Sequence, residues 1–194
     1  MSEKARENKT REKIIQAARK LFSEKGFDGV SMEDIAQASG VRKSLIYYYF
    51  PSKDVLFEEV WVNVIDELEN EVFSETENEG SITKVIKKII KKYVEFAINK
   101  EELSKLIARE RINVLDETST LSRAKLRYDR FLQKLEKFFE KGKEEEVLNN
   151  LEPSTATEII SSVNSMPRKG LLKSVEEFLI RTILKEKGNI QTSK

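Results

Sequence analysis

The chain has 194 residues, 36% of them charged and 39% apolar, with a net charge of +1, which suits a globular protein with an ample core and room for one small head and one larger body. It contains no cysteine and no histidine, which excludes disulfides, thiolate metal sites, imidazole bases and Ser-His or Cys-His catalytic sets together. Seven glycines and three prolines leave few turns and favour long helices.

The first helix is expected from Thr10 to Lys25, where Ile14, Ala17, Ala18, Leu21 and Phe22 recur at helical spacing and Gly26 supplies a C-cap. A second starts at Ser31, whose hydroxyl with Asp34 three places on forms a capping-box pattern, and it ends at Ser39-Gly40. A third runs from Val41 or Arg42 to about Phe50, where Pro51 stops it. Ser52 is the expected N-cap of a long helix reaching about Glu75, with Phe57, Trp61, Val64, Ile65, Leu68 and Val72 on one stripe. A turn over Asn78 to Ser81 precedes a helix carrying Ile82, Val85, Ile86, Ile89, Ile90, Tyr93, Val94 and Ala97, with Lys84, Lys87, Lys88, Lys91 and Lys92 opposite, read as a solvent-facing row. Leu103, Leu106, Ile107 and Val114 mark another helix, and Leu121 to Phe139 a long one between about Thr120 and Gly142.

Pro153 and a Thr155/Glu158 box are expected to open a shorter helix, and Pro167 to Gly170 to interrupt the chain. A Ser174/Glu177 box then starts the last helix, and the tail beyond Gly188 is expected to fray. The outcome is an all-α chain of about nine helices with no convincing strand and no internal repeat. The charged opening, MSEKARENKTREK, lacks the apolar core of a signal peptide, and no apolar run approaches bilayer length, so a cytoplasmic protein without a membrane partner is expected.

Charge is unevenly placed. Residues 1–53 hold 11 lysines and arginines against seven acids, while the remainder is mildly acidic. The informative stretch is SMEDIAQASGVRKSLIYYYF, Ser31 to Phe50. A short capped helix, a tight turn at Ser39-Gly40-Val41 and a second short helix form a helix-turn-helix pattern. Ala36 permits close approach, and Ile35, Val41 and Ile46 fix the crossing. Such an arrangement pushes the second helix outward to a size that fits a major groove about 12 Å wide. Its outward residues Arg42, Lys43, Ser44, Tyr47 and Tyr49 are hydrogen-bond donors, and no acid occurs between Asp34 and Asp54. Donors without acids suit phosphate oxygens and base edges. The four-aromatic run also has a core reading, which falls first on Tyr48 and Phe50 and less on Tyr47 and Tyr49.

From Thr10 to Val60 the sequence resembles, without gaps, the DNA-binding head of TetR-family transcriptional regulators. The resemblance rests on the A-x-x-L-F-x-x-x-G-F lead from Ala18 to Phe27, on Ile35-Ala36 and Gly40-Val41, and on the tyrosine-rich end followed by Ser52-Lys53. It implies a helix-turn-helix DNA-binding domain over residues 1–51, with the motif at about 31–50, and a ligand-sensing and dimerisation domain over 52–194. It further implies a homodimer, formed through the last two helices, on a palindromic double-stranded operator. Position by position, Ser31, Lys43, Ser44, Tyr47 and Lys53 match the family's groove and phosphate contacts, and Tyr48 is grouped with them. Three residues depart from the family's habit: Tyr49 where histidine is common, Arg42 where a small hydroxyl residue is usual, and Leu45 where threonine often sits. Arg42 is then either an added guanine or phosphate contact or a solvated arginine. The basic residues Lys4, Arg6, Lys9 and Arg11 either add backbone contacts or form a disordered tail.

For the body, the resemblance implies repression released by a small apolar or amphipathic effector. Phe57, Trp61, Tyr93, Phe96, Tyr128 and Phe131 are aromatic candidates for the pocket, although an aromatic stripe at helical spacing is usually packing. Arg109, Glu110, Arg111 and Asn113 are polar groups clustered on one helix; either some of them, with Arg109 and Asn113 as the pocket candidates, face inward to orient the ligand, or all belong to a solvated face with internal ion pairs. No metal, cofactor or catalytic residue is expected. The rival readings are a helical interaction protein with a vestigial helix-turn-helix and, last, a small enzyme working with carboxylates or lysines. The basic, acid-free reading face argues against the first, and the absence of any prominent catalytic pair against the second.

Overall fold

The computed structural model describes residues 3–74, 76, 79–165 and 169–185, with the backbone alone at 3, 4 and 169–173. Over these residues the fold is all-α. Its helices are α1 (Glu3–Lys25), α2 (Met32–Ser39), α3 (Lys43–Tyr49), α4 (Lys53–Val72), α5 (Ile82–Asn99), α6 (Glu101–Leu115), α7 (Ser122–Glu144), α8 (Pro153–Ser161) and α9 (Lys169–Ile183), with a 3-10 turn at Ser162–Ser165. An isolated bridge between Leu148 and Leu184 is the one strand-like pairing among the described residues. Of the described helices, none is long and apolar enough to cross a membrane.

Five expectations need correction. The amino-terminal arm is not a loose tail, because α1 begins at Glu3. Nothing between Glu3 and Lys25 is a glycine or proline, and Ala, Arg, Glu and Lys propagate a helix once Ile14 and Phe22 anchor it. Thr155 does not open α8, because Pro153 already holds the first helical position, where its missing N–H costs nothing. Gly170 does not interrupt the chain, and Ser174 does not start α9: the helix begins at Lys169, so the Ser174/Glu177 pair lies inside it with no open amides to cap. The fourth helix ends at Val72, short of the expected Glu75, with Phe73 and Ser74 already in a turn. The expected turn at Asn78, Pro167 and the tail after Gly188 lie outside the described residues.

The chain gathers into two compact units, Met1–Glu69 with Lys100–Phe131, and Asn70–Asn99 with Leu132–Lys194. In the first, α1 packs against both α2 and α6, and α2 packs against α3. Ile14, Ala18 and Phe22 of α1 are fully buried with Ile35, Ile46, Leu56, Phe57, Val60 and Trp61. Carboxylates on α4 hold its neighbours. Glu59 meets Arg11 of α1 at 2.7 Å and Arg123 of α7 at 2.8 Å. Glu67 meets Arg19 of α1 and Lys100 just before α6, and Arg127 of α7 reaches Asp66 and Glu69, both at 2.6 Å. Glu58 accepts the N–H groups of Arg123 and Ala124, so the open amides at the start of α7 are satisfied from α4 rather than by a local cap.

In the second unit α5 packs on α9 and on the 3-10 turn. The apolar stripe of α5 is buried as expected, including Tyr93 and Phe96. Asn164 donates to the Tyr93 hydroxyl at 2.8 Å inside this core. Asn149 donates to the carbonyls of Arg181, Thr182 and Leu184, closing the carboxyl end of α9. Phe178 of α9 stands 63% exposed, while Leu179 and Ile183 beside it are buried.

Candidate nucleic-acid interface

The helix-turn-helix is built from local chemistry. The Ser31 backbone N–H and hydroxyl both donate to the Asp34 carboxylate, at 2.8 and 2.6 Å, and the Asp34 N–H donates back to the Ser31 hydroxyl at 3.1 Å. This is the capping box expected from the sequence. The hydrogen bonds from Ser31, side chain and then backbone, hold the Asp34 carboxyl below its ordinary value. At the far end of α2, Gly40 adopts φ 65°, and its N–H closes on the Ala36 and Gln37 carbonyls. A left-handed residue here lets the chain reverse within three residues, which glycine does at little cost. Arg42 then caps α3 in an extended conformation.

One residue of α3, Ile46, is buried; the helix stops at Tyr49, and Phe50 turns to φ −136°. That turn drives the Phe50 ring into the core, where the Arg11 guanidinium lies 5.3 Å from its centroid. Tyr48 is the reverse case. Although the core reading fell on it, the ring is 71% exposed and is the most outward aromatic of the motif. With one residue per 100° of helix, Tyr48 stands about 200° from Ile46 and must face away from the core. Tyr47 is 43% exposed. Tyr49 is half-buried and packs edge-on against Tyr48 at 5.2 Å; burial first, then Glu7 and Tyr48, raises its phenol above the ordinary value.

Arg42, Lys43 and Ser44 are exposed, so the structure brings them to one surface with Tyr47 and Tyr48. Ser31 is also exposed, but its hydroxyl is engaged in the capping box. The Lys43 ammonium lies 3.1 Å from Glu33 at the start of α2, a contact that raises its pKa. The stretch is free of acids along the chain but not in space, and sequence spacing gave no sign of this pair. Lys53 is half-buried at the start of α4. Its ammonium donates to the Phe27 carbonyl at 2.9 Å and lies 4.2 Å from the centre of the Phe27 ring. The lysine is thereby held over the corner between α1 and α2.

The same corner is held from the other side by a residue that the sequence places in the α6 polar cluster without singling it out. Glu110 of α6 is 3% exposed, and its carboxylate accepts the Phe27 N–H at 3.0 Å and an Asn113 amide N–H at 3.2 Å. Arg109 and Asn113, the two candidates for ligand contacts on α6, are exposed. The polar groups that this helix buries are instead Ser104 and Glu110. Gly26, at φ 78°, lies against this contact: a Cβ there would sit 3.0 Å from both Arg109 Cδ and Glu110 Oε1.

Of the aromatic candidates, Phe57, Trp61, Tyr128 and Phe131 form one buried chain in the first unit, with successive ring centroids 5.9, 5.7 and 6.2 Å apart. Tyr93 and Phe96 are buried within the second unit. The Trp61 indole N–H is buried without a hydrogen-bond partner among the described residues. No cluster of potential metal ligands occurs among the described residues.

Residues 14–60 match the model of bacterial regulatory proteins of the tetR family. The same region is 42% identical over 60 residues to the biofilm operon icaADBC HTH-type negative transcriptional regulator IcaR of Staphylococcus aureus strain Newman. That match covers 31% of this chain and 32% of the relative, so the chain matches about a third of the length of this curated relative. Across nearly its whole length the fold is similar to that of a transcriptional regulator of the TetR family from Vibrio parahaemolyticus. The TM-score is 0.68 at 24% identity, covering 91% of this chain and 99% of that one. It is also similar to AibR, solved in complex with isovaleryl coenzyme A and operator DNA, with a TM-score of 0.74 at 15% identity over 88% of this chain and 96% of that one.

Proposed function

We propose that this chain belongs to the tetR family of bacterial regulatory proteins and is a non-enzymatic transcriptional regulator that represses by binding a palindromic operator as a homodimer and is released by a small effector. The observation that carries the DNA-binding part is the exposed surface of α3, where Arg42, Lys43, Ser44, Tyr47 and Tyr48 present donors around a helix anchored by the buried Ile46. Residues 1–51 act as the reading domain and residues 52–194 as the sensing and dimerisation domain. Lysine and arginine neutralise phosphates, and hydroxyls bond to their oxygens. Lys53, Tyr49 and Ser31 flank that surface, with Lys53 fixed in place by Phe27.

Dimerisation through α8 and α9 is supported by the exposed phenyl of Phe178 and the half-buried Ile159 and Val175. A two-fold dimer sets its two reading helices one DNA turn apart, about 34–36 Å, so each half-site sees the same face. Effector sensing is supported by the buried Trp61 N–H, which an acceptor atom on an apolar or amphipathic molecule would satisfy. Trp61 and Phe57 lie two turns and one turn along α4 from Lys53. A shift of α4 on binding therefore moves a residue of the reading surface, provided the effector binds the two states unequally. AibR, in its complex, holds both an acyl coenzyme A and DNA, and an acyl thioester is one effector of the amphipathic class.

The vestigial-motif alternative gains no support, because the reading face keeps its exposed cations. The test is a mobility-shift titration with DNA from upstream of the protein's own gene. Lys43→Ala and Tyr47→Phe are expected to weaken specific binding by roughly tenfold, the scale of one lost contact, with fold and dimer mass unchanged. Wild-type affinity in both variants would remove α3 as the contact face.

A further inference from the structure

We infer that Leu45 reads the methyl group of a thymine, so that each half-site of the operator carries a T·A pair beneath this residue. The inference rests on the DNA-binding reading of α3. With Ile46 pointing into the core, helical geometry sets Ser44 and Tyr48 about 160° and 200° away from it and Leu45 and Tyr47 about 100° to either side. Ser44 and Tyr48 therefore lie over the floor of a groove, with Leu45 and Tyr47 along its flanks. All these positions are exposed, Leu45 at 39% and Tyr47 at 43%. Lys43, Ser44, Tyr47 and Tyr48 can each make a hydrogen bond. Leu45, on the same outward arc, cannot.

That difference restricts what Leu45 can meet. Base edges in the major groove are donors and acceptors, with one apolar exception, the thymine C5 methyl. A leucine pressed against a guanine, adenine or cytosine edge strips water from a polar group and returns no hydrogen bond. Against a thymine methyl it buries two apolar surfaces together. Leu45 thus favours thymine by contact and disfavours the other bases by desolvation, both directions of a specificity determinant.

The experiment uses the full chain and a duplex isolated by it from a random-sequence library. Each thymine of one half-site is replaced in turn by deoxyuridine, which removes the methyl and leaves the hydrogen-bonding edge intact. One such replacement is expected to weaken wild-type binding about fourfold, the worth of one buried methyl-sized group. Leu45→Ala should bind the thymine and deoxyuridine duplexes equally, and Leu45→Met should keep the discrimination. Because the position is exposed, all three proteins should show the same helical circular dichroism and unfolding temperature. The proposal is overturned if no replacement weakens the wild type, or if Leu45→Ala suffers the same loss; sequence-preferring binding in those cases leaves the regulator reading standing. A library that yields no preferred duplex overturns both.

Discussion

The carboxylate of Glu110 accepts the backbone N–H of Phe27 at 3.0 Å. Eighty-three positions separate the two residues in the chain, yet this bond sets the corner from which the helix-turn-helix departs. Lys53 holds the carbonyl of the same Phe27 at 2.9 Å. One peptide corner is thus gripped by α6 on its donor side and by α4 on its acceptor side. Glu110→Ala leaves the Phe27 N–H without its acceptor, a loss of about 1–3 kcal/mol. In a chain of this size each kcal/mol lowers the unfolding temperature by roughly 2–4 °C. Glu110→Gln keeps a carbonyl acceptor and should lose less. Thermal unfolding followed by circular dichroism separates the two, and an unaltered Glu110→Ala midpoint would deny the bond any stabilising role.

Gly26 and Gly40 share a left-handed backbone, at φ 78° and 65°, but not the same surroundings. An added Cβ meets Arg109 and Glu110 at Gly26 and nothing within 4 Å at Gly40. Gly40→Ala should therefore cost only the backbone strain, about 1–2 kcal/mol. Gly26→Ala should cost measurably more in denaturant unfolding, since it also presses on the Glu110 contact. Equal losses would mean that α6 yields freely at this corner.

Glu33 pairs with a lysine of the proposed DNA-contact face. The Lys43–Glu33 pair is exposed on both sides, so solvent screening leaves it little weight in folding. In the proposed complex a DNA phosphate competes with Glu33 for this ammonium. Glu33→Gln should raise affinity for duplex DNA by up to about fivefold at low salt while leaving the unfolding temperature in place. Affinity that falls in Glu33→Gln would assign Glu33 a role in the contact itself.

Glu59 predicts a pH dependence. Burial pushes its carboxyl up, but Arg11 and Arg123 together outweigh that and hold it below its ordinary value near 4.5. A carboxyl lowered in the folded state stabilises the fold above that ordinary value, and the contribution drains away as pH falls below it toward the folded pKa. Unfolding temperature should thus drop as pH is lowered from about 5 towards 3, more steeply in the wild type than in Glu59→Gln. Parallel pH profiles would show that the triad does not contribute.

The reading head was legible because its signals are local. Ser31 with Asp34, Gly26, Gly40 and Pro51 each act through their own few neighbours, and the structure places a cap or a turn at each. Tyr48 and Phe50 share a core reading in the sequence because both are aromatic, whereas the end of α3 at Tyr49 sends the first outward and the second inward. The caps proposed for α8 and α9 failed for a related reason: a serine or threonine box works only where amides are open, and the pattern alone does not say where the helix begins. Glu110 is legible only as one member of the α6 polar cluster, and Glu33 is not legible as part of the site. Their partners, Phe27 and Lys43, are reached through tertiary packing, and a single carboxylate in a charged helix carries no mark of being turned inward.

Recognition of a specific duplex by the exposed cations and hydroxyls of α3 is the step on which the proposed regulation depends. Its most direct measurement is fluorescence-anisotropy titration of the full-length protein against a library-selected palindromic duplex and a scrambled duplex of the same length, repeated across a salt series. The selected duplex should bind at least about a thousandfold more tightly near physiological salt, with two chains per duplex. Affinity should fall linearly with the logarithm of salt, by a slope that Lys43→Ala makes shallower by about one. Equal binding of the two duplexes at every salt concentration would contradict it.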